Sequence, residues 1–124
     1  MPSKNQITGR LGEDAAVSYL KKNDFVILKR NYRIKNGEID IIARDNDTIS
    51  FIEVKTRKSL QKGMPAESVN FSKQKKIISA ALYYIRENNI VDTRLRFDVI
   101  EVFCHGNQTG FYEFNLIKDA FQVP

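Results

Sequence analysis

Two short apolar stretches separated by polar residues occupy the middle of the chain. Residues 37–42 and 51–55 are each rich in isoleucine or valine, as β-strands are. Residues 45–48 between them read Asp-Asn-Asp-Thr, and these residue types favour a turn. The pattern predicts an antiparallel hairpin with a four-residue loop, in which Ile42 faces Phe51.

Charged residues interrupt both strands of this hairpin. In the predicted register Asp40 faces Glu53, and Glu38 faces Lys55. Because side chains two positions apart on a strand point the same way, Lys55 shares the face of Glu53. Two facing carboxylates repel each other unless one binds a proton or a cation sits between them. Mg2+ takes oxygen ligands of this kind, and an adjacent lysine can stabilise negative charge on a phosphoryl oxygen.

Helix and strand periodicities place the other elements around the hairpin. Apolar residues repeat at helical spacing along residues 6–22 and again along 72–86, where Ser72 is the predicted N-cap. Residues 119–121 are predicted to form a short helical tail. Three further strands are predicted at 25–34, 95–103 and 110–116. The order α-β-β-β-α-β-β predicts an α/β fold, with a central mixed five-stranded sheet flanked by helices.

Positive charge is concentrated directly after the second strand of the hairpin. The 124 residues carry a net charge of +5, and residues 55–76 alone hold seven Lys or Arg against the single acid Glu67. Residues 57–70 lack periodicity, which predicts a basic loop that closes on a substrate. A basic tract is either a solvated surface or a polyanion site, and its position beside the carboxylates favours nucleic acid.

Composition limits the remaining possibilities. Residues 1–124 are long enough for one domain with its own core and too short for a second. The chain has no apolar run of membrane-spanning length and no signal-peptide pattern at its N-terminus, so we expect no membrane partner. A single cysteine, Cys104, excludes an internal disulfide. These features predict a cytoplasmic protein.

The charged residues of the hairpin also form a recognisable motif. Asp40 on one strand, followed by Glu53-Val54-Lys55 on the next, resembles the PD-(D/E)xK nuclease superfamily and especially its Holliday-junction-resolvase-like branch. Over nearly the whole chain, the sequence resembles more closely the YraN-like family of uncharacterised bacterial proteins. The matching blocks are residues 12–16, 30–33, 37–40, 53–57, 72–76 and 96–98. Ile39 stands where the superfamily name has proline.

This resemblance implies a restriction-endonuclease-like core with Mg2+ or Mn2+ as cofactor. Asp40 and Glu53 would be metal ligands, and Lys55 would orient water and stabilise developing charge. By the same resemblance, Glu13 would lean from the first helix into the site as a further catalytic residue and metal ligand. On its position alone, Glu13 is more simply an acid that complements the helix dipole.

Other polar residues flank the proposed site. Glu38 is either a partner of Lys55 in a strand-end salt bridge or a support for the site, and Gln74 is either a boundary residue or a hydrogen-bond donor near it. Asp98 is predicted to be a buried, hydrogen-bonded acid outside the site. The candidate nucleic-acid contacts share a positive charge: Arg30, Arg57, Lys58, Lys62, Lys73, Lys75 and Lys76.

The sequence therefore predicts a metal-dependent endonuclease acting on DNA, with structured or branched DNA in repair or recombination as its substrate. Specificity is expected to come from DNA shape, from a homodimer or from a partner such as a helicase. One alternative is a non-catalytic nucleic-acid-binding or adaptor protein on a nuclease-like scaffold. Another is a structural use of the same charges, with Asp40 or Glu53 protonated.

Overall fold

The computed structural model describes residues 4–58, 69–104 and 112–123, with the side chains of residues 4–8 and 58 left aside. The elements in chain order are α1 (Lys4–Lys22), β1 (Val26–Ile34), β2 (Gly37–Asp45), β3 (Thr48–Lys58), α2 (Phe71–Glu87), β4 (Arg94–Cys104) and β5 (Tyr112–Phe121). This order confirms the predicted α/β fold with a five-stranded mixed sheet. Neither helix in these ranges is long and apolar enough to cross a bilayer.

The strands lie in the sheet in the order in which they occur in the chain. Only β3 and β4 are parallel; the other three neighbouring pairs are antiparallel. A parallel pair needs a crossover, and α2 supplies it. Consecutive residues on β2 point to opposite faces: Ile41 packs with Ala16 and Leu20 of α1, whereas Ile42 packs in the cluster formed with α2. The two helices therefore cover opposite faces of the sheet.

The hairpin of β2 and β3 confirms part of the predicted register. The ladder runs from Ile41–Ile52 to Asp45–Thr48 and includes the predicted Ile42–Phe51 pair. The loop is shorter than predicted, because only residues 46 and 47 lie between the strands. The predicted Asp40–Glu53 and Glu38–Lys55 pairs would continue the same register, but the ladder ends at Ile41–Ile52 before it reaches them.

At that end of the hairpin a side chain replaces the backbone ladder. The amide of Val54 donates to Oδ2 of Asp40 at 2.8 Å. A carboxylate that takes a strand's backbone donor keeps the two strands joined where their regular pairing has ended. Asp40 is therefore fixed between β2 and β3.

Two predicted boundaries need correction. The N-cap of α2 is Asn70 and not Ser72, since the Asn70 side chain accepts from the amide of Lys73 at 2.9 Å. The predicted helical tail is instead the end of β5. The ring of Phe121 stacks on Phe97 with centroids 5.0 Å apart, and the amide of Asp119 donates to Asp98. These contacts with β4 override the local preference for a helix.

The predicted loop over residues 57–70 begins within β3, and residues 59–68 lie outside the described ranges, so its closure on a substrate stays a prediction.

Two glycines let the helices approach the sheet closely next to the acidic residues. A Cβ atom on Gly12 of α1 would lie 2.3 Å from Oγ1 of Thr56 on β3. A Cβ atom on Gly37 of β2 would lie 2.4 Å from the carbonyl oxygen of Lys76 on α2. Any side chain at either position would push a helix away from the sheet. Each contact therefore fixes how closely a helix lies to the sheet next to an acid: Gly12 precedes Glu13 of α1, and Gly37 precedes Glu38 of β2.

Candidate functional site

The structure brings together the carboxylates of Asp40 and Glu53. Glu53 is only 6% exposed, although it carries an ionisable group. Its Oε2 atom is buried and has no hydrogen-bond partner within the described residues. Buried polar atoms in folded proteins are nearly always paired, so an orphaned carboxylate oxygen calls for a functional explanation.

The electrostatics of this pair agree with its geometry. Burial, and then the negative charge of Asp40, raise the pKa of Glu53 to about 8. The positive charges of Lys73 and Lys55 act in the opposite direction but do not cancel the effect. Burial and the neighbouring charge of Asp40 thus disfavour the ionised form of Glu53. A divalent cation between the two carboxylates would favour the ionised form and give Oε2 a partner, so these residues fit a metal.

Glu13 reaches the same region from α1, where it is held by two residues of β1. Its Oε1 atom accepts from Nη2 of Arg30 at 3.2 Å and from Nδ2 of Asn31 at 3.0 Å. Arg30 also binds Oδ1 of Asp14 at 2.6 Å. The left-handed backbone of Asn31 (φ 52°) lets two consecutive side chains reach Glu13 from the same strand. Asparagine is one of the few residues that adopt this conformation readily.

Glu13 nevertheless senses the charge of Asp40. Burial raises the pKa of Glu13, the charge of Asp40 raises it further, and the bonds from Arg30 and Asn31 lower it. Across residues 9–57, 69–104 and 112–123, no three Asp, Glu, His or Cys side chains lie close enough to hold a metal ion. In this structure Glu13 therefore does not form a three-acid metal site with Asp40 and Glu53.

An open cleft runs alongside this cluster. Its volume is about 740 Å3, and Glu13, Arg30 and Asp40 contribute to its walls. Val54 and Thr56 line it from β3. Arg10 and Arg33 add positive charge to the lining. The cleft connects Asp40 with solvent.

Lys73 occupies a place that the sequence did not predict. Its Nζ atom lies 2.8 Å from Oε1 of Glu38 and 3.8 Å from Oε1 of Glu53. The bond from Lys73 lowers the pKa of Glu38. Lys73, predicted to contact phosphate, is thus in contact with the acids in this structure. Glu38 is bound by Lys73, with Nε of Arg33 at 3.6 Å, in place of the predicted bridge to Lys55.

The remaining predicted residues divide into those beside the site and those directed elsewhere. Lys55 is half-buried and acts on Glu53 through its charge. The side-chain amide of Gln74 (Nε2) donates to the carbonyl of Val69 at 2.7 Å. Gln74 therefore stabilises the start of α2 and does not bind a carboxylate of the site. Nε of Arg57 lies 3.5 Å from Oε2 of the buried Glu101, a pairing that the sequence did not indicate.

The other predicted nucleic-acid contacts have less to anchor them. Nζ of Lys75 sits over the ring of Phe71 at 4.6 Å, and Lys76 is exposed one residue further along α2. The Lys58 side chain and all of Lys62 lie outside the described residues. Their role as phosphate contacts stays a prediction.

Fold and site together define a class: an α/β protein whose mixed five-stranded sheet holds two facing-strand carboxylates beside lysines, with a third acid supplied by the first helix. The model of the uncharacterised protein family UPF0102 matches residues 12–102 of the chain. A UPF0102 protein of Desulforapulum autotrophicum is 43% identical over 123 residues, which is 99% of each chain. One from Caldicellulosiruptor bescii is 52% identical over 114 residues, covering 91% of this chain and 95% of the relative.

A third relative, a UPF0102 protein of Clostridioides difficile, is 54% identical over 99 residues, or 80% of this chain and 87% of the relative. The chain belongs to the UPF0102 family. This confirms the YraN-like resemblance predicted from the motifs, and the membership is consistent with the PD-(D/E)xK nuclease superfamily.

Proposed function

We propose that the protein is a metal-dependent endonuclease that hydrolyses phosphodiester bonds in DNA, with structured or branched DNA as its substrate. The observation that carries the proposal is the buried Glu53 beside Asp40, with one carboxylate oxygen that no described residue hydrogen-bonds. A binding surface gains nothing from a buried pair of repelling acids, whereas a cation site requires one.

Each residue of the cluster has a role in this proposal. Asp40, fixed by the amide of Val54, and Glu53 would hold Mg2+ or Mn2+, with Glu13 as a further ligand once it leaves Arg30. When bound, the metal supplies Lewis-acid activation of the phosphodiester and of the attacking water. Lys55 would orient that water and stabilise the negative charge that develops on the phosphoryl oxygens.

Charge supports DNA as the substrate. Residues 55–76 hold a net charge of +6, and they include the end of the strand that carries Glu53 and the start of α2. Phosphate groups bind such basic surfaces with little regard to sequence. Selection of a branched structure would then depend on DNA shape, a second copy of the chain or a helicase. A DNA substrate in turn agrees with a cytoplasmic location in a bacterium.

A non-catalytic nucleic-acid-binding protein on the same scaffold is the second candidate. The observation in its favour is that the chain supplies its own cations: Arg30 binds Glu13, and Lys73 binds Glu38 and approaches Glu53. A protein that neutralises its acids in this way has less need of a metal. The two candidates differ in whether DNA is cut when Mn2+ is added.

The deciding experiment incubates the protein with branched, flapped, single-stranded and double-stranded DNA in the presence of Mg2+ or Mn2+. We expect metal-dependent cleavage that the Asp40→Asn/Glu53→Gln double variant lacks while still binding DNA. A double variant with the same change in charge, Asp47→Asn/Asp92→Asn, is the matched control. Both of its sites are exposed, and asparagine tolerates the left-handed backbone of Asp92 (φ 50°).

The outcomes separate the candidates. Cleavage that depends on metal and on the two site acids supports the nuclease. DNA binding without cleavage of any of the four substrates, together with thermal melts that ignore both metals, supports the binding protein.

A further inference from the structure

Lys73 is the only lysine for which the described residues give direct contacts with two acids of the cluster. It lies in the first turn of α2, where the side chain of Asn70 caps the helix by accepting from the amide of Lys73 itself. This cap fixes the backbone from which the side chain extends. The side chain is about one quarter exposed, with its Nζ atom at 2.8 Å from Glu38 and 3.8 Å from Glu53.

These two distances describe an ammonium group with one close partner and one loose partner. Glu38 is itself 41% exposed, so its bond to Lys73 is open to solvent on one side. Glu53 is 7% exposed, and its other oxygen is the orphaned Oε2. An ammonium group at 3.8 Å attracts Glu53 without satisfying its second oxygen. Lys73 therefore supplies a positive charge beside Glu53, and the proposed metal would take over that role when it binds.

The surroundings of Lys73 also lead toward the basic surface. Lys75 and Lys76 follow it on α2 and are exposed, and the helix start adds partly free amide groups that favour an anion. A phosphate bound there would attract the flexible Lys73 side chain away from Glu53. Moving the ammonium group away would remove a cation that competes with the metal for Glu53.

We propose that Lys73 couples the two ligands of the site: it competes with the divalent cation for Glu53, and a phosphate of the bound DNA draws it away, so that DNA and metal bind cooperatively. This inference rests on the proposed metal site, and it adds a control on when that site is filled. Lys73 is a positioning residue in this scheme, because it acts through Glu53 and through the phosphate. Thermodynamic linkage requires the effect to be reciprocal, so metal must also tighten the binding of DNA.

The test measures Mn2+ binding to the full-length protein by electron paramagnetic resonance of free Mn2+, with and without a short DNA duplex. The DNA arm is kept at a temperature at which no cleavage is seen on a gel. Lys73→Met removes the charge and keeps the length of the side chain, and Lys21→Met makes the same change at an exposed position in the last turn of α1. We expect Lys73→Met to bind Mn2+ about fivefold more tightly than wild type without DNA, and Lys21→Met to change the affinity by less than about twofold.

DNA should tighten Mn2+ binding in wild type and in Lys21→Met, and the increase should shrink by a similar factor in Lys73→Met. Equal Mn2+ affinities of Lys73→Met and wild type would overturn the coupling while leaving the metal site in place. Wild-type protein that bound no Mn2+ would overturn the coupling and the nuclease proposal together.

A measurement on the wild-type chain covers the case in which Lys73→Met does not fold. The Nζ resonance of Lys73 is followed by NMR during a titration with Mg2+. A shift that saturates together with metal binding supports displacement from Glu53. A Lys73 signal that stays fixed while other site resonances move shows that Lys73 and the metal do not compete.

Discussion

Asp98 and Glu53 lie on adjacent strands, and both are buried acids, yet their surroundings differ completely. Asp98 on β4 is fully buried and accepts hydrogen bonds from the hydroxyl of Ser50, the guanidinium of Arg96 and the amide of Asp119. Glu53 on β3 is nearly as buried and leaves Oε2 without a partner in the described structure. Burial alone therefore does not identify a functional acid, whereas an unsatisfied buried acid does point to one.

Arg96 explains why the Asp98 end of the sheet is complete. Its Nη2 atom lies 2.8 Å from Oδ2 of Asp98 and 2.9 Å from Oδ2 of Asp45, so one cation joins β4 to the end of β2. The bonds to Asp98 and Asp45 raise the pKa of Arg96, although its burial acts the other way. Lys118 of β5 adds a further cation at 3.1 Å from Asp45. The acids at this end are fully hydrogen-bonded within the chain, whereas Glu53 at the other end keeps an oxygen that no described residue hydrogen-bonds.

The largest effect is expected from breaking the satisfied cluster. Asp98→Asn removes the charge that Arg96 faces in the interior, so we expect the free energy of unfolding in urea at pH 7 to fall by about 3–5 kcal/mol. Asp92→Asn, at an exposed position, makes the same change in charge and should alter it by less than about 0.5 kcal/mol. Similar losses in both variants would mean that Asp98 is not held by this network.

The next effect concerns the close contact between Gly12 of α1 and Thr56 of β3, which lies next to Glu13. Gly12→Ala would place a methyl group 2.3 Å from Oγ1 of Thr56, and we expect about 1–3 kcal/mol of destabilisation in urea. Gly9 has open space around its position, so Gly9→Ala in the same helix should be neutral or stabilising by up to about 1 kcal/mol. Thr56→Ala combined with Gly12→Ala should recover part of the loss; a purely additive double variant would rule out the contact as its cause.

A smaller effect of opposite sign is expected at Glu53. Because its folded-state pKa is raised from 4.5 to about 8, Glu53 is protonated in the folded protein while it is ionised in the unfolded chain over that pH range. Its contribution to stability is therefore complete below about pH 4.5 and is lost as the pH rises through about 8.

Glu53→Gln cannot lose this contribution. In metal-free buffer, the free energy of unfolding of Glu53→Gln relative to wild type should rise by about 1–2 kcal/mol between pH 5 and pH 8. Urea melts at the two pH values measure it. A difference between the proteins that stays constant with pH would show that the pKa of Glu53 is not raised.

The smallest effect tests the N-cap of α2, which fixes the backbone of Lys73 near Glu53. Asn70→Ala removes the N-cap that fixes the backbone of Lys73, and we expect a loss of about 1 kcal/mol in the free energy of unfolding. Ser72→Ala lies inside the first turn and should stay within about 0.5 kcal/mol of wild type. The reverse order of the two losses would restore Ser72 as the cap.

Local pattern was sufficient for the elements of the sheet and for the Asp98 environment. The apolar pair Ile42 and Phe51 fixed the hairpin register, since a slip by one residue would expose both. Asp98 proved to be the buried, hydrogen-bonded acid that its position on an apolar strand predicted. The prediction of a helical tail was wrong because residues 119–121 contact β4, whose residues are far away in the sequence.

The candidate site was less accessible from the sequence, because it depends on departures from regular geometry. The side chain of Asp40 accepts from the backbone amide of Val54, where a regular ladder would have a bond between backbone groups. Asn31 has a left-handed backbone, and its side chain binds Glu13. Periodicity assumes regular strands and carries no information on either feature. An asparagine in the middle of a strand was the one visible signal. The insertion of Lys73 between Glu38 and Glu53 needs the packing of α2 on the sheet, which no local pattern specifies.

The parallel pairing of β3 with β4 also has a consequence for the order in which the protein is made. Glu13, Asp40 and Glu53 all precede the crossover helix, and Lys73 arrives with it. These acids are therefore synthesised before Lys73, whose ammonium group contacts Glu38 and Glu53 only once α2 has packed on the sheet.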